Sequence, residues 1–311
     1  MARACLVTGA NGFIGRSLVR RLEETGYKVR RAVRSPKAAD EVAIGEIGPA
    51  TEWRPLLEGM NIVFHCAARA HILKETSEEP ISAFRRVNVL GTRRLAEQAV
   101  QAGVKRFVFI SSIGVHGITT DGRQPFSIHD APAPAKPYGQ SKLEAEGVLR
   151  DIASQTGLET VIVRPPLVYG PGVRANFLRL IRLIRSRVPL PFARLNNRRS
   201  YVFLDNLVDL LIQCSEHAGA AGGTFLVSDD EDLSTPDLVG RLGEGMGVKA
   251  RMLPASVNTL RILGHMTGRL AEVESLTTSL QVDIRHTVDS LGWHPSVSVD
   301  EGIRRTVACL D

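Results

Sequence analysis

The chain has 311 residues, 43% of them hydrophobic and 5% aromatic, and its formal net charge at pH 7 is +6. This length and composition suffice for a large buried core and are not typical of a disordered chain. Because the basic residues are scattered and the aromatic residues few, we expect anionic small ligands rather than nucleic acid as partners.

The chain begins with an apolar strand pattern, Ala4–Thr8, followed by a glycine-rich turn and a helical pattern over Gly15–Thr25. Gly9, Gly12 and Gly15 stand three residues apart, a spacing that allows a tight turn, bare backbone against a phosphate and close helix-to-strand packing. The turn therefore predicts a site for the pyrophosphate of a dinucleotide cofactor. The expected cofactor contacts here are Gly9, Asn11, Gly12, Phe13, Ile14 and Gly15.

The residues after the second predicted strand bear on the choice of cofactor. No acidic residue occurs from Thr25 to Ala39, where a carboxylate would bind the ribose hydroxyls of NAD. The strand is followed instead by Arg34, whose guanidinium suits the 2′-phosphate of NADP, unless it stacks on the adenine. We expect NADP or NAD as cofactor, with NADP preferred.

Strand-like and helix-like segments alternate through the first half of the chain. The strand patterns are Lys28–Val33, Asn61–Cys66, Arg106–Ser111 and Glu159–Val163, and the further helix patterns are Ile81–Gly103 and Ser141–Gly157. This alternation predicts an α/β fold of the Rossmann type, a doubly wound parallel sheet. We expect a dinucleotide-binding domain over residues 1–165 and mainly a smaller C-terminal substrate-binding lobe over 166–311, with 201–215 returning to the first domain.

Candidate catalytic residues follow the fourth strand pattern. Ser111 and Ser112 stand where it ends, at the edge where parallel sheets carry catalytic groups. Tyr138 and Lys142 are four residues apart, so a helix that begins near Tyr138 places both on one face. A nearby ammonium lowers the pKa of a phenol, which suits Tyr138 to acid and base catalysis. Alone, this pair is more often a solvated helix face, so the assignment depends on the surrounding motifs.

Nearly the whole chain resembles the extended short-chain dehydrogenase/reductase superfamily, also described as the NAD-dependent epimerase/dehydratase family. The segments that carry the resemblance are Thr8-Gly9-x-x-Gly12-x-x-Gly15, His65-Cys66-Ala67-Ala68, Asn88-Val89-x-Gly91-Thr92, Ser111-Ser112, Tyr138-x-x-x-Lys142, Arg164-Pro165 and Arg199-x-Tyr201-Val202-x-x-Asp205.

The resemblance implies that Tyr138 is the acid/base, that Lys142 lowers its pKa and holds the nicotinamide ribose, and that Ser112 bonds the reacting oxygen. It implies further cofactor contacts from Ala67, Ala68, Asn88, Ser111, Tyr138, Lys142 and Pro165. The implied substrate contacts are Ser112, Asn176 and Arg199, the last of them to the diphosphate of a sugar nucleotide. For Ala67, Ala68 and Asn88, a role in strand and helix packing is as good an interpretation as a cofactor contact. For Arg199, the alternative to a diphosphate contact is a solvated surface arginine.

The same resemblance narrows the reaction. Family dehydratases carry an acidic pair where this chain has Ile113 and Gly114, so a 4,6-dehydratase is not expected and hydride exchange at one carbon, most often C4, remains. The chain looks like UDP-glucose 4-epimerase-like proteins and like the 4-keto reductases that form UDP-N-acetylquinovosamine. The NADP preference favours reduction of a UDP-4-keto-6-deoxy-hexose in the biosynthesis of a bacterial surface polysaccharide such as lipopolysaccharide; the alternative is a UDP-glucose or UDP-N-acetylglucosamine 4-epimerase that retains NAD.

Two other classes remain as alternatives. A non-catalytic dinucleotide sensor would commonly lack the Tyr and Lys that this chain keeps. A reductase of steroid-like or flavonoid-like ketones would need an apolar substrate lobe, whereas many arginines lie between Arg174 and Arg199. A homodimer through the helices at 81–103 and 141–157 is expected by resemblance.

The cysteines and the apolar segments bear on the environment of the chain. Cys5, Cys66, Cys214 and Cys309 lie far apart without the spacing of a metal site, so we expect reduced thiols and no bound metal. The first strand pattern starts within a few residues of Met1, and no apolar stretch reaches membrane-spanning length. We therefore expect a cytoplasmic protein without a membrane partner.

Overall fold

The computed structural model describes residues 3–70 and 80–310, whose strands form two sheets. The strands are β1 (Ala4–Thr8), β2 (Lys28–Val33), β3 (Glu41–Ala43), β4 (Ile62–His65), β5 (Arg106–Ile110), β6 (Glu159–Arg164), β7 (Leu167–Tyr169), β8 (Arg199–Phe203), β9 (Thr224–Leu226) and β10 (Asp232–Leu233). The larger sheet has seven strands in the order β3-β2-β1-β4-β5-β6-β9, and every pairing in it is parallel. The predicted doubly wound parallel sheet is therefore confirmed.

The helices complete the layers of the fold. They are α1 (Phe13–Glu24), α2 (Arg54–Leu57), α3 (Pro80–Phe84), α4 (Thr92–Gln101), α5 (Pro137–Thr156), α6 (Ala175–Arg185), α7 (Leu204–Glu216), α8 (Thr235–Gly245), α9 (Val257–Met266), α10 (Leu270–Thr277), α11 (Arg285–Leu291) and α12 (Val299–Ala308). A π-helical segment, Arg85–Gly91, joins α3 to α4. Within the described ranges, no helix combines the length and the apolar character that a membrane crossing requires.

The central strands are buried on both faces, which is why they appear in the sequence as continuous apolar runs. All five residues of β5 are buried, and its four apolar side chains alternate between two core clusters. Val108 and Ile110 join a cluster that includes residues of α1 and α7, whereas Phe107 and Phe109 join a cluster that includes residues of α4 and α5. The sheet thus carries helices on each face.

The pairing register aligns the carboxyl ends of the central strands at one edge. Thr8 of β1 lies opposite His65 of β4, and His65 lies opposite Phe109 of β5. The loops that follow these strands therefore leave the sheet side by side. They contain the glycine turn, the Ala67–Ala68 segment and the Ser111–Ser112 pair.

The C-terminal part of the chain is divided between two environments. Strands β7, β8 and β10 form a separate three-stranded sheet beside a third core cluster that includes Tyr169, Phe177 and Ile303. Helix α7 instead packs its apolar residues in the cluster shared with α1. Strand β9, which no sequence pattern indicated, pairs with β6 and extends the larger sheet.

Helix α5 approaches the loop after β5 closely enough to require a glycine. A Cβ at Gly139, in the first turn of α5, would lie 2.3 Å from the carbonyl oxygen of Gly114. Because that neighbour is backbone, a side chain at position 139 would push the helix away from the loop. The absence of a side chain at Gly139 thus sets how closely α5 packs on the strand ends.

Gly139→Ala is expected to lower the free energy of unfolding by about 1–3 kcal/mol, because the added methyl overpacks this contact. Gly147→Ala is the matched control on the same helix, since a Cβ there meets nothing within 4 Å. That substitution should instead raise stability by up to about 1 kcal/mol through helix propensity. Urea denaturation measures both, and equal effects would contradict the close-approach argument.

Candidate active site

The glycine turn has the backbone geometry that phosphate binding requires. Gly9 has a φ of +65°, and a Cβ at Gly15 would lie 2.2 Å from the carbonyl oxygen of Gly9. The amide of Gly12 donates to that same oxygen at 2.9 Å, and α1 begins at Phe13 without a side-chain cap. Uncapped amides at the positive end of a helix are donors suited to a pyrophosphate. The donor set therefore fits a dinucleotide.

A chain of hydrogen bonds runs beneath the ends of β1 and β4. The amide of Ala67 donates to Thr8 Oγ1 at 3.2 Å, and Thr8 Oγ1 lies 2.7 Å from Nδ1 of His65. On the other side of the ring, Nε2 lies 3.0 Å from Oγ1 of Thr92, whose hydroxyl donates to the carbonyl of Asn88 at 2.7 Å. Because the Thr92 proton is already committed, Nε2 carries the imidazole proton and Nδ1 accepts. Burial lowers the pKa of His65 to about 3, so the ring is neutral.

Asn88 ties the loop after β4 to the first turn of α5. Its side chain accepts from the amide of Arg69 at 2.8 Å and donates to Ser141 Oγ at 3.0 Å. Ser141 Oγ in turn donates to the carbonyl of Tyr138 at 2.8 Å. Asn88, which is 2% exposed, thus supports the backbone that carries Tyr138, while Ala67 and Ala68 are half-buried in the loop it holds.

The three candidate catalytic residues stand at the same end of α5 and β5. Ser112 is half-buried, and its Oγ accepts from the amide of Gly114 at 3.1 Å. Tyr138 is the second residue of α5, and its ring packs at 6.2 Å from the ring of Phe84. One turn further, Lys142 donates from Nζ to the carbonyl of Ile110 at 2.7 Å. The helix start near Tyr138 on which the pairing depended is at Pro137.

Burial disfavours the charged forms of both Tyr138 and Lys142. It raises the pKa of Tyr138 to about 12 and lowers the pKa of Lys142 to about 7, against opposing effects of Glu146 and Cys66 on Lys142. The expectation that Lys142 lowers the pKa of Tyr138 is not met in this structure. The lysine amine bonds to the Ile110 carbonyl instead, and burial alone acts on the phenol.

Two expected cofactor contacts have their polar groups engaged elsewhere. The hydroxyl of Ser111 donates to Oε1 of Glu146 at 2.6 Å, and Ser111 is 2% exposed, so this side chain is held in the interior. The carbonyl of Pro165 accepts from the amide of Ile113 at 2.9 Å. Both residues therefore hold the loop that carries Ser112.

Three further residues are expected to contact the ligands: Arg34 the 2′-phosphate of the cofactor, and Asn176 and Arg199 the sugar nucleotide. Arg34 is exposed after β2, and a cavity of ≈ 430 Å³ nearby is lined by Asn11 and Lys37 among others. Asn176 is exposed in the first turn of α6. Arg199 is half-buried and donates from Nη1 to the carbonyl of Thr278 at 2.9 Å. Burial lowers the pKa of Arg199.

Sequence reasoning missed Glu146, a fully buried carboxylate on α5. Its four-residue spacing from Lys142 places it on the face that also carries Tyr138, and this spacing was the available signal. Nothing in the sequence, however, marks that face as buried rather than solvated.

Comparison with known proteins places these features in a family. Residues 5–228 match the profile described as the NAD dependent epimerase/dehydratase family. A Vibrio cholerae protein named UDP-glucose 4-epimerase is 42% identical over 98% of this chain and 95% of its own length. A Mycolicibacterium smegmatis protein of the same name is 32% identical over 97% and 96%. The structure of MoeE5 in complex with UDP-glucose and NAD superposes with a TM-score of 0.80 at 27% identity, covering 99% of this chain and 98% of that one.

The lowered pKa of Lys142 predicts a specific pH dependence of stability. Between its folded pKa of about 7 and the ordinary value of 10.5, the unfolded chain binds more protons at Lys142 than the folded chain does, so the free energy of unfolding rises with pH. Relative to Lys142→Met, the parent protein should gain up to about 1.4 kcal/mol per pH unit between pH 7.5 and 9.5. Denaturant unfolding at stepped pH measures this difference.

Lys105→Met, at an exposed lysine, controls for the loss of one positive charge. Parallel pH curves for the parent protein and for Lys142→Met would contradict the burial of the amine.

Proposed function

The chain belongs to the NAD dependent epimerase/dehydratase family, and from this membership we propose that it transfers a hydride between NADP or NAD and C4 of a UDP-hexose. The observation that carries the proposal is the placement of the half-buried Tyr138 and the buried Lys142 on one face of α5, next to the strand end that carries Ser112. The fitting donor set of the glycine turn lies at the same edge of the sheet.

In the proposed reduction, the chain supplies the proton while a nicotinamide dinucleotide bound at the glycine turn supplies the hydride. Ser112 Oγ and the Tyr138 hydroxyl would hold the C4 oxygen, and the Tyr138 proton would move to that oxygen as the C4–H bond forms. A phenol whose pKa is raised to about 12 keeps its proton near neutral pH. That state allows donation to a carbonyl.

The residues after Ser112 support chemistry at a single carbon. Ile113 is buried at 5% exposure in the core cluster of α1 and α7, and a Cβ at Gly114 would lie 3.3 Å from Ser112 Oγ. Neither position therefore offers an acid or base for a second proton transfer. We propose on this ground that the protein is not a 4,6-dehydratase.

The reaction at C4 could be a net reduction or a 4-epimerisation, and a different observation supports each. The exposed Arg34 and the absence of a carboxylate between Thr25 and Ala39 favour NADP, which exchanges with solution and serves a net reduction of a UDP-4-keto-6-deoxy-hexose. The 42% identity to the Vibrio cholerae protein favours a 4-epimerase that retains NAD.

The other proposed features follow from the resemblance. We propose a UDP-sugar as partner, supported by UDP-glucose in the MoeE5 complex, and exposed arginines from Arg174 to Arg198 argue for a diphosphate over a steroid-like ketone. A cytoplasmic homodimer with a role in lipopolysaccharide biosynthesis, NADP as the preferred cofactor, and a substrate lobe over residues 166–311 complete the proposal. The presence of Ser112, Tyr138 and Lys142 favours an enzyme over a dinucleotide sensor.

Release and identification of any nucleotide that copurifies with the protein distinguishes the two versions. The reductase version predicts little retained nucleotide and stoichiometric NADPH oxidation with a UDP-4-keto-6-deoxy-hexose. Tightly held NAD with interconversion of UDP-glucose and UDP-galactose, and no NADPH oxidation, would establish the epimerase version. Absence of UDP affinity in calorimetry would remove the substrate class from both.

Tyr138→Phe should lower kcat about 10²–10⁴-fold, because the variant keeps the ring but has no proton to transfer. Nucleotide affinity should stay within about twofold, since the backbone held by Asn88 and Ser141 is unchanged. Tyr27→Phe is the control, since it removes a phenol that bonds to Glu216 instead. Undiminished turnover in Tyr138→Phe would overturn the assignment of the acid.

Arg34→Ala should raise the Kd for NADPH about 10–100-fold and leave the Kd for NADH nearly unchanged, because only NADPH loses a charge-assisted bond to its 2′-phosphate. Lys28→Ala, at the opposite end of β2, controls for the loss of a surface cation. Fluorescence titration measures both nucleotides. An equal loss of affinity for NADH and NADPH would indicate that Arg34 stacks on the adenine.

A further inference from the structure

A buried ion pair lies one helical turn beyond Lys142. Glu146 of α5 is 0% exposed and Arg164, the last residue of β6, is 3% exposed. The guanidinium binds the carboxylate through two bonds, from Nε to Oε1 at 2.9 Å and from Nη2 to Oε2 at 2.5 Å. This bidentate pair joins α5 to the strand that follows β5 in the sheet order.

The same carboxylate also holds the end of β5. Oε1 of Glu146 accepts from the hydroxyl of Ser111 at 2.6 Å, and the preceding residue, Ile110, accepts from Lys142 Nζ at 2.7 Å. Two successive residues of the strand end therefore bond to two successive turns of one helix face. Ser112 is the next residue of the chain, so its backbone leaves the sheet from a doubly anchored point.

His116 extends the network as a neutral acceptor. Its Nε2 lies 2.7 Å from Nη1 of Arg164, and because a guanidinium only donates, Nε2 accepts and Nδ1 carries the proton. Burial lowers the pKa of His116 to about 4. The charges of the network are thus one buried anion and one buried cation, together with Arg150, whose Nη2 reaches Oε2 of Glu146 at 3.0 Å from the surface.

The Glu146–Arg164 pair joins α5 to β6 at a high desolvation cost. Desolvation of buried charges offsets most of their attraction, and apolar replacements of such pairs are often as stable. Stability alone therefore gives no reason for a carboxylate at position 146. Because Glu146 lies one helical turn from Lys142, it also affects the charge of the lysine amine.

Glu146 is the anion whose charge acts on the Lys142 amine, from one helical turn away on α5. The titratable groups around this amine are Tyr138 and Glu146 on α5, and His65 and Cys66 at the end of β4. His65 is neutral, and burial raises the pKa of the Cys66 thiol to about 12. Of these four groups, Glu146 alone is thus charged at neutral pH; burial would raise its pKa, but Arg164, Ser111 and Arg150 hold it below the ordinary value.

We propose that Glu146 is a positioning residue of the hydride-transfer site: its carboxylate, fixed by Arg164 and Ser111, keeps the buried Lys142 amine protonated and anchors the strand end that carries Ser112. The proposal rests on the proposed function for its catalytic meaning. The protonation of Lys142, however, can be measured without substrate.

The experiment compares the parent protein with Glu146→Gln, each with and without Lys142→Met, by denaturant unfolding from pH 5 to pH 10. The pH at which the Lys142-dependent rise in unfolding free energy begins reports the folded-state proton affinity of the amine. Glu146→Gln should lower that affinity about tenfold, which moves the onset down by about one pH unit. An onset that does not move overturns the proposal.

The pH profile of kcat/KM links this effect to catalysis. With the proposed substrate, the basic limb of the profile should move down by the same interval in Glu146→Gln. A shifted unfolding onset without turnover in any variant would support the role of Glu146 while overturning the proposed function. Turnover in the parent and the variant with an unshifted onset and an unshifted limb would overturn the role of Glu146 alone.

Further variants keep the test decisive. If Glu146→Gln fails to fold because it leaves Arg164 buried and unpaired, the double variant Glu146→Gln with Arg164→Gln removes both charges, and its onset should still move down. Arg150→Gln is the matched control, since it removes a half-exposed cation from the same carboxylate. Its onset should stay or move up; a downward shift equal to that of Glu146→Gln would overturn the proposal.

Discussion

The contact between one face of α5 and the ends of β5 and β6 is the constraint on which the rest of the site depends. Because Gly139 has no side chain, the helix can approach Gly114 closely. The polar residues along the contact, among them Lys142 and Glu146, are buried. The helix carries Tyr138 and Lys142, and the strand end carries Ser112. Because both sides of the contact hold chemistry, its packing determines the geometry of the site.

This same burial governs the electrostatics. Removing Tyr138 and Lys142 from water favours their neutral forms, so the phenol keeps its proton and the amine is poised between its two states near pH 7. A protonated phenol suits reduction of a carbonyl, whereas oxidation of an alcohol needs the phenolate and therefore a cation close to it. The charge of Lys142 itself depends on the groups around the amine, and the buried Glu146, one helical turn away, is the anion that opposes the effect of burial.

Patterns in the sequence predicted the elements that bury continuous apolar runs. Strand β2 begins and ends at the predicted residues, and the fold class followed from the alternation of such strands with helices. Strands β3 and β9 have three residues each, too few to show a pattern. The residues over 81–103 gave a helical pattern without indicating the π-helical part. The bond from the Ser111 side chain to the buried Glu146 and the raised pKa of Tyr138 depend on burial in the tertiary structure. The spacing of residues along the chain does not reveal that burial.

The central claim is that the protein performs hydride transfer at one carbon of a UDP-sugar. Its most direct test is the fate of deuterium from nicotinamide-labelled NADPH or NADH, with a UDP-4-keto-6-deoxy-hexose as substrate and mass and NMR analysis of the product. We expect deuterium at C4 of the sugar and no solvent hydrogen newly bound at another carbon. A product without deuterium, or with solvent hydrogen incorporated at C5 or C6, would contradict it.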